Sequence, residues 1–268
     1  LPIFKKKKIK KVFYLFDDPD KRTYRKASKN LKSIKKLNIL KSKYKDFYKS
    51  YFLNKNIEFP LIDAKIAVSK DFYTINKKSK WITNSRSRRV SHLIRSKYDC
   101  IITTATSINK DNSLLNCRIE GLNNYKPDLI IIDRNLKLRR KLKIFRLSKK
   151  RRTYIFTSSN NKKKISFLKK KNIKIIKINL VNKNDFINFF KKIFQIGKGR
   201  VLIETGVIFL KELFKFKLVD NLYLFKSDSY LKDKGYNKTS IDFIKKIKLN
   251  KEIKVNLEND KLFKIRIK

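Results

Sequence analysis

The chain has 268 residues, of which 41% are apolar and 12% aromatic, enough to bury one substantial core and a small second one. No run approaches the roughly 20 uncharged apolar residues of a membrane span, and the amino end lacks the basic, apolar and small-residue regions of a signal peptide, so a cytoplasmic protein is expected. The formal net charge of +50 would ordinarily point to nucleic acid, because lysine-rich surfaces gain affinity by releasing counterions from phosphates.

Lys11 to Phe16 reads as a short buried strand, stopped by the turn-forming cluster Asp17-Asp18-Pro19-Asp20. A helix is expected from Lys21 to about Leu37, with Ala27, Leu31 and Ile34 at helical spacing, and a second from Lys43 to Leu53. One strand and two helices cannot cover both faces of a sheet. Residues 1–57 therefore read as the end of one unit, and 58–268 as a domain of its own.

From Phe59 onward, strands and helices alternate. Strands are expected at Leu61 to Ser69, Cys100 to Thr104, Leu129 to Asp133, Tyr154 to Thr157, Ile173 to Ile178, Val201 to Glu204 and Leu222 to Phe225. Helices fall at Ser85 to Arg95, Lys162 to Lys170, Asp185 to Phe194 and Val207 to Phe216. This order predicts an α/β domain with a mixed, mostly parallel sheet flanked by helices. Glu252 to Leu257 and Leu262 to Lys268 read as a closing antiparallel pair joined through Asn259-Asp260.

The basic charge has a bland explanation. Lys, Ile, Asn and Phe are abundant while glycine is limited to 5 and proline to 4, the pattern of an AT-rich coding sequence. Charge is spread through Lys5 to Lys8, Lys149 to Arg152 and Lys162 to Lys171, so a solvated surface is expected. Cys100 and Cys117 are too few for a disulfide framework and read as buried small apolar residues. The absence of methionine and the start at Leu1 lead us to expect an excerpt or processed product of a longer chain.

Ligands in open α/β sheets bind beyond the carboxyl ends of the strands, so the residues leaving each strand carry the functional signal. The first strand runs Lys65-Ile66-Ala67-Val68-Ser69-Lys70-Asp71, followed by Ser79-Lys80-Trp81-Ile82-Thr83. The next helix places Arg88, His92 and Arg95 on one face, where two arginines could clamp an anion such as a phosphate. Thr103-Thr104-Ala105-Thr106-Ser107 leads to Asp111-Asn112 and Arg118, and a later strand ends in Asp133. Glu204-Thr205-Gly206 enters a helix directly, and a helix amino terminus entered through glycine suits a phosphate group. Singly, each has an ordinary explanation: a surface histidine, solvated arginines, aspartates that cap turns. Gly197-Lys198-Gly199 precedes its strand and is a turn, not a dinucleotide fingerprint.

In order, these segments resemble the reductase half of the bacterial bifunctional riboflavin-biosynthesis deaminase/reductase family, 5-amino-6-(5-phosphoribosylamino)uracil reductase. The match runs from Pro60 to roughly Phe225, including Leu218-Val219-Asp220. The resemblance implies a dihydrofolate-reductase-like fold and NADPH-dependent reduction of a ribosyl carbon after the sugar ring opens to an imine. It implies substrate contacts at Ser79, Arg95, Leu115, Arg118 and Glu204. It places NADPH at Ala67, Trp81, Ser107, Asp111 and the turn Gly206, Val207, Ile208 and Phe209. Lys65 and Glu204 are its catalytic candidates, with Lys65 helping to polarise or protonate the opening sugar, and it implies a homodimer.

Upstream, Lys10 to Asp20 and Asp46 to Phe52 resemble the end of the deaminase half, an incomplete α/β remnant. The zinc chemistry of that half needs a His-x-Glu and a Pro-Cys-x-x-Cys pair. Neither is present, so zinc and deamination belong to a part missing here, and no metal is expected. Four departures from the family pattern stand where glycine or proline is usual: Phe72, Thr205, Ser113, and the pair Ala105 and Thr106. Glycine serves where φ is positive or a ligand approaches the backbone, so these losses leave a weakened or relic enzyme as one alternative. A basic nucleic-acid-binding protein on the same scaffold is another, although aromatics interleaved with basic residues on an exposed face are not evident.

Overall fold

The computed structural model describes residues 41–122, 126–238 and 252–267, together with 3, 6–9, 11–14, 16–24, 26, 34–36 and 249. The chain divides into two compact units: Leu1–Leu61 with Ile193–Gly199, and Ile62–Lys192 with Arg200–Lys268.

In the first unit, β1 (Val12–Tyr14) pairs in parallel with β2 (Ile34–Lys36), Val12 standing opposite Ile34. The helix expected to continue to Leu37 is thus corrected at Ile34–Lys36, where the backbone joins a strand ladder; Ala27, Leu31 and Leu37 lie outside the described residues. Three apolar positions at helical spacing are a weak signal, and pairing with a distant strand overrides it. Helix α1 (Lys41–Asn56) contains the expected Lys43 to Leu53. Phe16 packs against Tyr48 and Phe52, with ring centroids 5.1 and 5.3 Å away. Asn54 Nδ2 donates to the carbonyls of Phe59 (3.0 Å) and Gly199 (3.2 Å). A Cβ at Gly199 would collide with the Asn54 side chain, so glycine is required there.

In the second unit the chain runs β3 (Leu61–Val68), β4 (Tyr73–Asn76), α2 (Ser85–Arg95), β5 (Cys100–Thr104), α3 (Ala105–Asp111), β6 (Asp128–Ile132), α4 (Ile144–Leu147) and β7 (Thr153–Thr157). It continues through α5 (Lys162–Lys170), β8 (Ile173–Lys177), α6 (Lys183–Gln195), β9 (Arg200–Ile203), α7 (Val207–Lys215), β10 (Asn221–Lys226), β11 (Gly235–Lys238) and β12 (Lys261–Arg266). Eight strands form one sheet in the order β12-β10-β3-β9-β5-β6-β7-β8, and β4 pairs with β11 beside it in a separate two-stranded ladder. The ladders β9-β5-β6-β7-β8 and β3-β10 are parallel, while β12 runs antiparallel to β10. The expected mixed, mostly parallel α/β sheet is what forms.

Every residue of β6 and β7 is buried, the signature of parallel strands covered on both faces. The core of this unit includes two separate clusters. Leu129, Ile131 and Ile155 pack with Ile108 and Leu168, while Ile101, Leu202 and Phe225 pack with Ile94 and Tyr98. Phe156 meets Phe189 edge to face at 4.9 Å. Each such fully buried side chain contributes about 1.5–3 kcal/mol relative to exposure. Cys100 and Cys117 are free thiols in the interior, as expected.

The closing pair is corrected. The Glu252 to Leu257 segment makes one bridge, Glu252 to Phe263, with Ile253 N donating to Leu262 O at 2.8 Å. The partner of β12 is β10, across six register positions. Leu257 joins the core beside Ile94 and Leu262 instead of pairing along an edge, since a buried apolar side chain outweighs a few solvent-exposed ladder bonds.

Candidate active site

Because β9 inserts between β3 and β5, the residues leaving three strands that are far apart in sequence end side by side. A cleft of about 1560 Å³ opens there. Pockets for one small ligand are usually about 300–1,000 Å³, so two ligands have room. All the site residues expected from the sequence, from Lys65 on β3 to the start of α7, line this one cleft.

Glu204 leaves β9 and sits between two cations. Arg95, in the last turn of α2, donates from Nε to Oε1 at 2.6 Å and from Nη2 to Oε2 at 3.0 Å. Lys65 Nζ stands 3.9 Å from Oε2 and 5.3 Å above the Phe225 ring. Burial pushes the Glu204 carboxyl up, but Arg95 and Lys65 outweigh it and hold the group at about 2. Glu204 is therefore ionised at neutral pH. Burial pushes the Lys65 ammonium below its ordinary value against the pull of Glu204, and Arg95 adds to the lowering.

His92, one turn before Arg95, bridges to the loop after α3. Its Nδ1 is 2.9 Å from Asn116 O and 3.1 Å from Arg118 N, and its Nε2 is 3.2 Å from Arg118 Nη2. Arg118 offers a donor to each ring nitrogen, its backbone N–H to Nδ1 and its guanidinium to Nε2, while the Asn116 carbonyl faces Nδ1 as an acceptor. Burial, with Arg95 and Arg118 nearby, holds the imidazole down at about 4, in keeping with a neutral ring.

The two arginines of α2 do not form the expected joint anion clamp. The Arg95 fork is closed on Glu204, and Arg88 stacks on Trp81 at 4.8 Å while donating to Thr83 O at 2.7 Å. Arg118 uses one side-chain nitrogen on His92. Trp81 is half exposed over the cleft, with Ser79 Oγ accepting from its backbone N–H. Ser107 Oγ accepts from Gly206 N at 3.2 Å, tying the start of α3 to the start of α7. Burial pushes the Asp111 carboxyl up against Lys110 and Lys80. Asp133 caps a turn, accepting from Lys137 N and Leu138 N.

Of the four departures from the family pattern, only Phe72 occupies left-handed backbone, at φ +67°. Ala105 and Thr106 instead begin α3, with Thr104 as its cap. Sequence reasoning also missed Arg151. Placed in a run expected to be solvated, it is 3% exposed and donates to the backbone carbonyls of Pro127, Leu114 and Leu115. Nothing in the local pattern distinguishes it from its lysine neighbours.

Among the described residues, no group of three or more His, Cys, Asp or Glu side chains could hold a metal ion, and no helix is long and apolar enough to cross a membrane.

A mixed, mostly parallel sheet whose strand ends frame a cleft with room for two ligands defines an α/β protein with its ligand site beyond the carboxyl ends of the strands. The family model described as RibD C-terminal domain matches residues 60–227, and the chain belongs to that family. The riboflavin biosynthesis protein RibD of Buchnera aphidicola subsp. Baizongia pistaciae is 28% identical over 192 residues, 66% of this chain and 50% of that protein. The chain spans about half the length of the curated relatives it matches. Among solved structures, the Thermotoga maritima diaminohydroxyphosphoribosylaminopyrimidine deaminase/5-amino-6-(5-phosphoribosylamino)uracil reductase superposes with a TM-score of 0.77 at 19% identity, covering 99% of this chain and 73% of that one. The Saccharomyces riboflavin biosynthesis reductase Rib7 gives 0.63 at 17% identity, covering 83% of this chain and 98% of that one.

Proposed function

We propose that the chain is an NADPH-dependent oxidoreductase of riboflavin biosynthesis that reduces the ribosyl carbon of 5-amino-6-(5-phosphoribosylamino)uracil to the ribitylamino product. The observation that carries this reading is the placement of Lys65, Glu204, Arg95 and Arg118 in one cleft with room for two ligands. Membership of the RibD C-terminal family supports it, as do the names of the Thermotoga and Saccharomyces proteins.

The residues present fit a dinucleotide. Nothing but Ser107 Oγ, at 3.9 Å, would meet a Cβ at Gly206, so the entrance to α7 is open to a phosphate approaching the backbone. Ala67, Trp81, Ser107, Asp111 and Gly206 to Phe209 would hold the cofactor. Bound NADPH supplies the hydride that adds to the ribosyl carbon. Ser79, Leu115, Arg118 and the Arg95–Glu204 pair face the substrate, with Arg118 as the phosphate partner. Lys65, its ammonium loosened by burial, gives a proton to the sugar ring oxygen as the ring opens. Glu204, ionised throughout, stabilises the positive charge that develops on the imine.

Residues 1–57 are, on this reading, the tail of a deaminase domain, with its zinc site in a part not represented here. A cytoplasmic homodimer completes the proposal.

NADPH oxidation by the purified chain with the phosphoribosylaminopyrimidine tests it. Substrate-dependent consumption with one ribitylamino product per NADPH is expected. Salt-sensitive RNA binding without NADPH binding would instead establish the nucleic-acid alternative.

A further inference from the structure

We propose that Arg151 is a positioning residue that sets the substrate-phosphate subsite by fixing the loop carrying Leu115 and Arg118; this rests on the reductase reading above for the identity of the ligand. Arg151 immediately precedes Arg152, whose Nε lies 3.1 Å from Asp128, yet Arg151 itself is buried and turned onto backbone. Its Nε donates to Pro127 O at 2.6 Å, its Nη2 to Leu115 O at 2.7 Å, and its Nη1 to Leu114 O. Three carbonyls accept from this one buried guanidinium, and burying a charge is costly unless it is hydrogen-bonded in this way.

The consequence lies in the loop. The planar fork holds the carbonyls of two consecutive residues, Leu114 and Leu115, on the same side, and Leu115 is in the left-handed region at φ +50°. A leucine is costly there without outside restraint. From Ser113 to Arg118 the chain has no regular structure of its own. The next two residues after Leu115 are Asn116, whose carbonyl faces His92 and Arg95, and Cys117, whose N–H donates to Lys126 O at 2.9 Å. Arg118 follows and reaches the cleft. Arg151 does not line the cleft, but together with His92 it fixes the loop from which Arg118 reaches it. A misplacement of about 1 Å in such a contact can cost on the order of 100-fold.

Lysine keeps the charge and loses the fork, whereas glutamine loses the charge and keeps part of the hydrogen bonding. Trp81, the chain's one tryptophan, lines the same cleft, so its fluorescence reports occupancy. Titration of Arg151→Lys and Arg151→Gln with ribose 5-phosphate, and separately with NADPH, is the experiment. Both variants are expected to weaken ribose 5-phosphate binding roughly tenfold or more, with NADPH affinity held within about twofold and a cooperative thermal melt retained.

Unchanged ribose 5-phosphate affinity in Arg151→Lys overturns the proposal. So does an equal loss for both ligands, or the unfolding of both variants, since either marks a general structural role. If the unsubstituted chain binds ribose 5-phosphate without oxidising NADPH, the reductase reading fails while the positioning role is still read from binding. If the unsubstituted chain binds no ribose 5-phosphate, the subsite inference falls.

Discussion

Arg95 and Glu204, 109 positions apart, close a two-point ion pair with bonds of 2.6 and 3.0 Å, and Lys65 approaches the same carboxylate from the opposite element. Removing one member of a buried pair strands the other charge, which costs about 3–5 kcal/mol. Glu204→Gln is therefore expected to lower stability by about that amount in urea unfolding. The double variant Arg95→Leu with Glu204→Leu should lose less than the sum of the two singles, and strict additivity would argue against a coupled pair.

The same cluster sets a pH dependence. Glu204 is held at about 2 against an ordinary 4.5, and His92 at about 4 against 6.5. Each group binds fewer protons folded than unfolded within its window, so stability rises with pH there. The His92 contribution is complete above pH 6.5 and fades as pH falls to about 4. The Glu204 contribution is complete above 4.5 and fades towards 2. Unfolding midpoints stepped from neutral pH down to about 4 should slope in the wild type and flatten in His92→Gln. An identical slope in the variant would place the effect elsewhere.

Phe72 and Ala105 both stand where glycine is usual in the family, yet they predict opposite outcomes. Phe72 holds φ +67°, with Lys226 4.7 Å from its ring centroid. Phe72→Gly should raise stability by at most about 1 kcal/mol, because relief of left-handed strain is set against the loss of a partly buried ring and its cation–π contact. Ala105 begins α3 and is buried, so Ala105→Gly should cost about 1 kcal/mol. Thermal melts of the two variants shifting in the same direction would refute the assignment.

Lys65→Met keeps the stem that packs over Phe225 and removes the proton donor. Turnover in NADPH oxidation should fall by about 100-fold or more, the typical contribution of a positioned general acid. Substrate and NADPH affinity should change little. Full turnover with unchanged affinity would remove Lys65 from the chemistry.

Periodicity alone placed the seven main strands of the second unit within a residue or so, and the helices at Ser85 and Lys162 exactly where they lie. These segments were legible because each buries one face or both, so its apolar residues form either a repeat in register with the backbone or a short continuous run. The segment Ile34–Lys36 was not, because its pairing with β1 is a relation between segments and leaves no local period. Helix α3 was missed for a different reason: it is one short stretch of Thr, Ser and Asn whose start depends on the Thr104 cap.

Identity of the site residues was a property of the chain. Lys65, Arg95, Arg118 and Glu204 could be named as candidates because the order of the segments that carry them resembles the family's reductase half, and the rule that ligands bind beyond the strand ends pointed to the same segments. What each of them does was decided only in three dimensions. Arg95 is committed to a carboxylate, His92 is neutral between cations, and Arg151 is drawn out of a basic run to hold three carbonyls. Hydrogen bonding and burial at these points depend on distances between residues tens of positions apart, and linear order carries no record of distance.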